Sequence, residues 1–390
     1  MTLDIDQKPT LCFVAHYAYG AMTGGESGHI GGVERQTSFM ARWFAARGYR
    51  AILVTWDEGQ PDQQVIDGVH VIKMCRLEAG VPGLRFFHPR WTSLNRALQR
   101  ADADVYYQNC GEHVTGQVAL WCRRQNRAFV YSVASDTDVN VDLPELKTLR
   151  ERMLYPYGLR RADQVVAQTR KQQQMLWDGF GRQSVVIPMP CPGPDESAYV
   201  PPEPPSAESR SVLWVGRVCE PKRPDRLLAL AEQCPELSFD LVGPPDTTSY
   251  AQEVYAQAQT IPNVTVHGGV SREAVPGFYQ RAACMCCTSA FEGFPNTFLE
   301  AWSYGLPIVS TFDPDGLIES QRLGAGCRDV PALAEALRKL LASPAEWRTC
   351  SQNAREHYLA NYTVESVMPR FERVFVEAAA SRRPQVAAAT

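Results

Sequence analysis

The residues best suited to chemistry lie in segment 288–311, TSAFEGFPNTFLEAWSYGLPIVST, where two glutamates flank a loop containing glycine and proline. The pattern predicts a strand, a loop, and a short helix that begins around Asn296 and stops at Gly305. Free N–H groups at the start of such a helix suit a phosphate. Glu292 on the loop and Glu300 in the first turn of the helix could both reach one ligand. Glu300 would bind a pair of vicinal hydroxyls, and Glu292 would bind a position further along.

An ordinary structural role is also open for these glutamates. If the helix begins at Thr297, then Thr297-Phe-Leu-Glu300 fits a capping box, which alone would explain the second glutamate. Glu292 followed by Gly293 is equally compatible with a plain turn. These residues alone therefore leave ligand binding and local capping as alternatives for Glu300.

The elements that must position this segment alternate between strands and helices. Strand-like runs include TLCFVAHYAY, RAILVTW, ADVYYQN and AFVYSVAS in the first half, and SVLWVGRV, LSFDLVG, NVTVHGG and ACMCCTS in the second. Helical patterns separate them, which favours βαβ units and parallel sheets. Prolines crowd between Pro188 and Pro205, so a domain boundary is expected near residue 195.

The predicted fold class is therefore α/β, with two Rossmann-like, doubly wound parallel-sheet domains facing each other across a cleft. The N-terminal domain is expected over residues 1–194 and the C-terminal domain over 195–363. A C-terminal helix over 364–381 is expected to pack back towards the N-terminal domain, and 382–390 to form a disordered tail.

Composition limits the class of protein. The 390 residues are 45% hydrophobic and 21% charged, which is typical of a soluble globular chain. The N-terminus is polar and no apolar run approaches the length of a spanning helix, so a cytoplasmic location is expected. A net charge of −4 without a basic stripe argues against a nucleic-acid partner. Cys284, Cys286 and Cys287 lie in an apolar run and are predicted to be buried and reduced, not zinc ligands.

The string EGFPNTFLEAWSYGLPIV resembles the donor-site signature of the family 4 retaining glycosyltransferases of GT-B fold. That signature is Glu, seven residues, Glu, then a small-residue helix ending in Gly-x-Pro. SVLWVGRVCEPKRPDRLL is similar to the family's strand, Gly-Arg and Lys segment, and NVTVHGGVSREAVPGFYQRAA to its base-binding region. In the first half, VERQTSFMARWFAARGYRAILVT resembles the family's first helix and second strand, and RADQVVAQTRKQ a later strand.

The resemblance implies a donor site with divided roles. Arg217 and Lys222 would neutralise the donor diphosphate, Glu300 would bind the ribose hydroxyls, and Glu292 would hold the transferred sugar near its reacting face. The remaining donor-binding positions would be Gly216, Gly243, Gly268, Gly293, Phe294, Pro295, Asn296 and Thr297. The implied reaction moves a hexose from a UDP- or GDP-sugar to an acceptor hydroxyl with retained anomeric configuration, without metal or other cofactor. Surface polysaccharide or glycoconjugate synthesis is the implied setting.

The N-terminal half departs from the family at one position. Family members often carry a histidine at the end of the strand that reads AFVYSVASDTDV here, and this chain has none. Asp136 is expected to position a sugar hydroxyl in its place, unless that role is absent. His113 at a different strand end is the nearest alternative, although an ordinary surface histidine is also open. Gly31 and Gly32 would let the N-terminal loop approach donor or acceptor closely.

One competing fold is disfavoured by the sequence, and other functions on the predicted fold stay open. Asp136-Thr-Asp138 and Asp313-Pro-Asp315 match the Asp-x-Asp pattern with which single-domain GT-A transferases bind manganese. The two Rossmann-like halves argue against that fold, and no metal is expected. A sugar-nucleotide 2-epimerase, a phosphorylase or a non-catalytic nucleotide-sugar-binding protein would also suit the architecture.

The expected partners are a nucleotide-sugar donor and a carbohydrate or lipid-linked acceptor. Residues 84–98, GLRFFHPRWTSLNRAL, mix aromatic and basic side chains. They leave open a peripheral contact with the inner face of the membrane, against the simpler alternative of a loop that packs its aromatic rings on the N-terminal domain.

Overall fold

The computed structural model describes residues 8–24, 31–197, 199–206 and 211–382. The chain forms two compact units. The N-terminal unit contains the chain up to Pro188 and again from Met368, and the C-terminal unit is Met189–Val367. The boundary therefore lies before the expected position near residue 195. The proline-rich segment belongs to the C-terminal unit from Met189 onward, and there Tyr358 Oη donates a hydrogen bond of 2.8 Å to the Cys191 carbonyl.

The N-terminal unit is built on an eight-stranded sheet. Its strands are β1 (Leu11–Val14), β2 (Ala51–Thr55), β3 (Gln64–Ile66), β4 (Val69–Lys73), β5 (Val105–Asn109), β6 (Ala128–Ser132), β7 (Gln164–Ala167) and β8 (Val185–Val186). The spatial order is β3-β4-β2-β1-β5-β6-β7-β8, and every neighbouring pair is parallel except β3 with β4. The helices are α1 (Tyr19–Thr23), α2 (Gly32–Ala46), α3 (Thr92–Ala101), α4 (His113–Gln125), α5 (Leu149–Arg161) and α6 (Arg170–Phe180).

The C-terminal unit has a six-stranded sheet whose neighbours are all parallel. Its strands are β9 (Ser211–Val215), β10 (Ser238–Val242), β11 (Val264–Gly268), β12 (Cys284–Cys287), β13 (Ile308–Ser310) and β14 (Gly324–Gly326), in the order β11-β10-β9-β12-β13-β14. The helices are α7 (Pro224–Gln233), α8 (Ser249–Ala258), α9 (Val275–Arg281), α10 (Asn296–Ser303), α11 (Leu317–Ser320), α12 (Val330–Ala342) and α13 (Pro344–Asn361). A last helix, α14 (Val364–Arg382), follows.

The long apolar runs form the central strands because parallel sheets covered on both faces bury every strand residue. All five residues of β2 are buried, as are all five of β5. Helix α14 completes the core of the N-terminal unit. Phe375 is fully buried, with its ring 6.0 Å from that of Phe13, 5.2 Å from Phe44 and 5.5 Å from Tyr107.

Three features bear on the sequence predictions. Cys284, Cys286 and Cys287 lie buried and unbonded on β12, as expected for a buried strand. Arg382 ends α14, so it does not begin a tail, and the rest of the expected tail lies outside the described residues. In the described ranges no helix is both long and apolar enough to cross a membrane.

Candidate functional site

Glu300 is held by a buried tyrosine rather than by a helix cap. Helix α10 begins at Asn296 with Pro295 as its N-cap, so Thr297 lies inside the helix and Glu300 lies in the second turn. Its carboxylate accepts a hydrogen bond of 2.7 Å from Tyr279 Oη. The capping-box alternative is therefore wrong.

Tyr279 is itself firmly placed. Its side chain is 2% exposed, and its ring stacks on Tyr304 with centroids 5.8 Å apart and planes 4° apart. Tyr279 belongs to α9, which the sequence interpretation assigned to the base-binding region without giving this residue a role. The carboxylate of Glu300 is consequently anchored by a neighbouring element.

Glu292 lies in an ion pair with Lys222. Lys222 Nζ is 2.5 Å from Glu292 Oε1, and Ser289 Oγ donates to the same oxygen at 2.7 Å. Burial opposes the charged ammonium, but the Glu292 carboxylate outweighs it, so the pKa of Lys222 is raised. Thr288 fastens the loop that carries these groups, because its Oγ1 donates to the Lys222 carbonyl at 2.9 Å. Two residues seventy positions apart in sequence thus meet at the carboxyl ends of β9 and β12.

Arg217 lies two residues after the end of β9 and is half-buried. Within the described parts of the chain its guanidinium makes no hydrogen bond or ion pair, whereas the neighbouring Lys222 is paired. Arg217 is therefore the cation at this strand end whose donors are open to a ligand.

Gly216, Gly243 and Gly268 hold three adjacent strand ends together. The Gly216 N–H donates to the Val242 carbonyl at 3.0 Å, and the Gly243 N–H donates to the Gly268 carbonyl at 2.8 Å. Gly243 has φ 139°, and a Cβ there would lie 1.8 Å from the Gly216 carbonyl oxygen. Only glycine fits this close approach, so at this position the residue serves the packing of the strand ends.

The loop before α10 is anchored by Phe294. This side chain is 7% exposed, and its ring lies 6.0 Å from Trp302 and 5.4 Å from Tyr362. Gly293 and Pro295 are buried on either side of it. Phe294 therefore fixes the loop through its side chain, while Asn296 and Thr297 at the start of α10 are half-buried.

In the N-terminal unit, Asp136 lies just after β6 with both carboxylate oxygens engaged. Lys171 Nζ lies 2.7 Å from Oδ2, and Gln172 Nε2 donates to Oδ1 at 3.1 Å. Asp138 turns back to accept hydrogen bonds from the backbone N–H groups of Ala134 and Ser135 at 2.9 and 3.2 Å. The Asp-x-Asp segment thus forms a capped turn.

Asp313 has the same capping function in the second Asp-x-Asp segment. Its Oδ1 accepts a hydrogen bond of 2.8 Å from the Ile318 N–H, and its Oδ2 accepts one of 3.3 Å from the Glu319 N–H. Among the residues that the structure describes, no three His, Cys, Asp or Glu side chains are grouped so that they could hold a metal ion.

His113 begins α4 beside further titratable groups. Its ring lies 5.4 Å from Phe86, and Nδ1 is 4.0 Å from a Glu151 oxygen. Burial lowers the pKa of His113 despite this carboxylate. Glu112, one residue earlier, is half-buried, and burial followed by the charges of Glu34 and other carboxylates raises its pKa to about 7. Burial likewise raises the pKa of Asp138 to about 6.

The end of β1 contributes His16, a residue that the sequence interpretation did not single out. Burial lowers the pKa of His16 to about 3, so the imidazole is neutral at physiological pH. Its ring lies 4.5 Å from that of Trp56. His16 and Glu112 could have been identified from the sequence because each closely follows a parallel strand of the first sheet, and ligands bind at the carboxyl ends of such strands.

Gly31 and Gly32 form the start of α2. Gly31 is the N-cap, and its N–H donates to Glu34 Oε2 at 2.9 Å, while Gly32 is the first helical residue. Segment 25–30, the part of the glycine-rich loop preceding them, lies outside the described residues.

Two families match adjoining parts of the chain. The family described as glycosyl transferases group 1 matches residues 198–357, and the glycosyl transferase 4-like domain matches residues 31–191. D-inositol 3-phosphate glycosyltransferase of Kribbella flavida is 28% identical over 304 residues, which are 67% of this chain and 70% of that protein. Mannosylfructose-phosphate synthase of Agrobacterium fabrum is 26% identical over 220 residues, 51% of this chain and 47% of that protein.

Solved structures of the same fold cover nearly the whole chain. Sucrose-phosphate synthase of Thermosynechococcus elongatus superposes with a TM-score of 0.78 at 20% identity, over 95% of this chain and 99% of that one. HepE of Anabaena in complex with UDP and glucose superposes with a TM-score of 0.71 at 16% identity, over 95% of this chain and 100% of that one. These likenesses establish the GT-B fold for the two Rossmann-like units.

Proposed function

Because the chain belongs to the group 1 glycosyltransferases of GT-B fold, we propose that it moves a hexose from a UDP- or GDP-sugar to an acceptor hydroxyl with retention of anomeric configuration. The observation that carries this proposal is the arrangement at the carboxyl ends of β9 and β12. There Lys222 is charged and paired with Glu292, Arg217 has no hydrogen bond or ion pair among the described residues, and Glu300 on α10, the helix that follows β12, is held by Tyr279. Ligands of doubly wound sheets bind at such strand ends.

The proposed roles follow from the charges. A nucleoside diphosphate gains negative charge as it leaves, so fixed cations stabilise the transition state more than the ground state. Arg217 and Lys222 supply those cations, and the anchored carboxylate of Glu300 accepts hydrogen bonds from the ribose hydroxyls. Glu292 binds hydroxyls of the transferred sugar once Lys222 turns towards the diphosphate. The leaving phosphate itself takes the acceptor proton, and no metal is required.

In the N-terminal unit the proposal gives a sugar-positioning role to Asp136 and to His113. Lys171 and Gln172 hold Asp136 in one orientation, and the lowered pKa of His113 keeps its imidazole neutral, able both to donate and to accept. Gly31 and Gly32 lie at the start of α2, where the proposal places the approach of a ligand to the backbone.

A lipid-linked acceptor is the acceptor class best supported by the surface of the N-terminal unit. Several large apolar side chains are at least 60% exposed around the Phe86–Trp91 turn and the start of α5: Val81, Leu84, Phe87, Leu149 and Met153. The two segments are in contact, since the Arg150 guanidinium lies 4.7 Å from the Phe86 ring. Apolar side chains interspersed with arginines bind the surface of anionic membranes.

Retention and the division of roles can be tested separately. Glu300→Ala is expected to weaken nucleotide binding with a smaller loss of kcat, whereas Arg217→Ala is expected mainly to lower kcat. Binding is measured by calorimetry with UDP and GDP and their sugars, and turnover by release of nucleoside diphosphate. Equal loss of both quantities in both variants would contradict the division of roles. If the anomeric proton coupling constant shows that the product has the opposite configuration to the donor, retention is excluded. If the protein binds nucleotide-sugar but releases no nucleoside diphosphate in response to an acceptor, it is instead a nucleotide-sugar-binding protein.

Membrane contact has its own test. Co-sedimentation with vesicles of phosphatidylglycerol and phosphatidylcholine is expected to fall in the Leu84→Ser/Phe87→Ser variant. Val65→Ser is the matched control, because Val65 is 55% exposed but lies on β3. If the double variant and the control bind vesicles as the unchanged protein does, the lipid-surface proposal fails while the transferase proposal stands.

A further inference from the structure

A cavity of about 240 Å³ opens between α4, α5, β6 and the end of α14. Arginine side chains dominate its lining, which consists of Ala119, Cys122, Arg123, Phe129, Arg160, Arg161, Asp163 and Arg382. Four arginines and one carboxylate thus surround one small space.

The carboxylate is fully engaged by its neighbours. Asp163 Oδ1 accepts hydrogen bonds from Arg382 Nε at 3.0 Å and Nη2 at 2.5 Å, and Oδ2 accepts one from the Phe129 N–H at 2.8 Å. Arg382 is therefore fixed at the cavity, and both oxygens of Asp163 already accept hydrogen bonds from groups other than Arg123, Arg160 and Arg161.

The other three arginines lack a carboxylate partner within the described residues. Arg123 has one long contact, in which Nη1 lies 3.5 Å from the Tyr157 hydroxyl. Arg161 lies 5.9 Å from the ring of the same tyrosine, and Arg160 is exposed. Their guanidinium donors are thus available to an anion.

The negative ends of two helix dipoles offset only part of this positive charge. Helices α4 and α5 both end beside the cavity, and each helix C-terminus carries about −0.5 of a charge. Four guanidinium groups and one carboxylate leave +3. The two helix ends reduce this to about +2. An excess of this size in one small cavity is the electrostatic pattern of a site for a multiply charged anion.

The cavity is separate from the carboxyl ends of the strands of the same unit, where the proposed function places the acceptor. Phe129 is the second residue of β6, and Asp163 directly precedes β7, so both mark the amino ends of their strands. The ligand-binding ends of the strands lie at the opposite edge, about 16 Å away along a five-residue strand.

We propose that this cavity binds a small anion carrying two or more phosphate groups, or one phosphate on a small polar body. Planar guanidinium groups bind phosphate oxygens in pairs, which matches the donors present. The volume of about 240 Å³ is below that of typical sites for drug-sized ligands, so a pyrophosphate or sugar phosphate fits better than a nucleotide. The same chemistry is offered by the phosphate headgroup of a lipid.

Calorimetry with pyrophosphate tests the site. The Arg160→Ala/Arg161→Ala substitutions are made in the unchanged chain and in the Arg217→Ala chain, so that loss at the cavity is separated from loss at the donor site. Pyrophosphate binding at the cavity is expected to weaken at least about tenfold in both backgrounds, because a hydrogen bond between charged groups contributes more than one between neutral groups. Arg124→Ala is the matched control, since Arg124 is exposed on α4 but does not line the cavity. Melting temperatures confirm that each variant folds.

A second arm distinguishes the sources of the phosphate. Pyrophosphate binding that depends on Arg160 and Arg161 identifies a soluble ligand. Binding to phosphatidic acid vesicles with the same dependence, and none to pyrophosphate, identifies a lipid headgroup. If the double variant binds both probes as tightly as the Arg124→Ala control, the proposed site does not exist.

Discussion

Replacing Tyr279 by phenylalanine tests whether Glu300 acts through its orientation. The substitution removes the hydroxyl that donates to the Glu300 carboxylate at 2.7 Å, but it keeps the ring that stacks on Tyr304. If Glu300 binds the ribose, the variant should bind the nucleotide more weakly, because the carboxylate is no longer held in one position before the ligand arrives.

The magnitude follows from the environment of the hydrogen bond. A hydrogen bond to a charged group contributes about 1.5–3 kcal/mol. Glu300 is half-buried, so water can replace part of the lost contact. We expect a loss of about 1–2 kcal/mol, which corresponds to a Kd for UDP or GDP raised about 5- to 30-fold. The turnover number at saturating donor should change much less, since the ribose is remote from the reacting bond.

Calorimetric titration with UDP and GDP measures this change, and Tyr304→Phe serves as the control. Tyr304 provides the other ring of the stacked pair, so its variant reports any general disturbance of the packing. The reasoning would be refuted if Tyr279→Phe bound nucleotide as tightly as the unchanged protein while Glu300→Ala lost binding.

Three further predictions concern stability. Gly243→Ala should prevent folding of the C-terminal unit or strongly lower its melting temperature, because the added Cβ would lie 1.8 Å from the Gly216 carbonyl oxygen. The control Gly269→Ala should be tolerated, because its added Cβ would have no contact closer than 3.7 Å. Glu112→Gln should increase the free energy of unfolding in urea at pH 8 but not at pH 4. The pKa of Glu112 rises from 4.5 to about 7 on folding, so the native state loses stability as pH rises through this window, by up to about 3 kcal/mol. Phe375→Ala should cost about 3–5 kcal/mol in the same urea assay, since this side chain is fully buried.

The strand, loop and helix that carry Glu292 and Glu300 could be predicted from the sequence because their signals are local. Glu292, Glu300 and the start of α10 lie within one short segment, and a strand end followed by a loop and helix has a recognisable pattern. The ion pair of Lys222 with Glu292 was not predicted, because it joins the ends of two strands that only the sheet order makes neighbours. The anchoring of Glu300 by Tyr279 was missed for the same reason.

Two short strands, and the shifted pKa values of three ionisable residues of the N-terminal unit, could not be predicted from the sequence. β3 is three residues long and half-exposed, and β14 is Gly-Ala-Gly, so neither carries the apolar pattern of a buried strand. Each pairs only at a sheet edge, where tertiary contacts override propensity. His16, Glu112 and Asp138 each follow a different strand, and only the folded sheet reveals that the pKa of each is shifted by desolvation.

The two sets of strand ends have opposite electrostatic character. In the C-terminal unit, Glu292 raises the pKa of Lys222, so the ammonium stays charged, and Arg217 adds a second cation. In the N-terminal unit, burial raises the pKa of Glu112 to about 7 and that of Asp138 to about 6, so a fraction of these carboxyls is protonated near neutral pH. A protonated carboxyl can donate as well as accept a hydrogen bond, which suits sugar hydroxyls, whereas fixed cations suit a diphosphate. This difference would assign the diphosphate to the C-terminal strand ends and neutral hydroxyls to the N-terminal ones. Exchanging the roles would place a diphosphate beside carboxyls whose charged form burial already disfavours, at a cost in desolvation and repulsion.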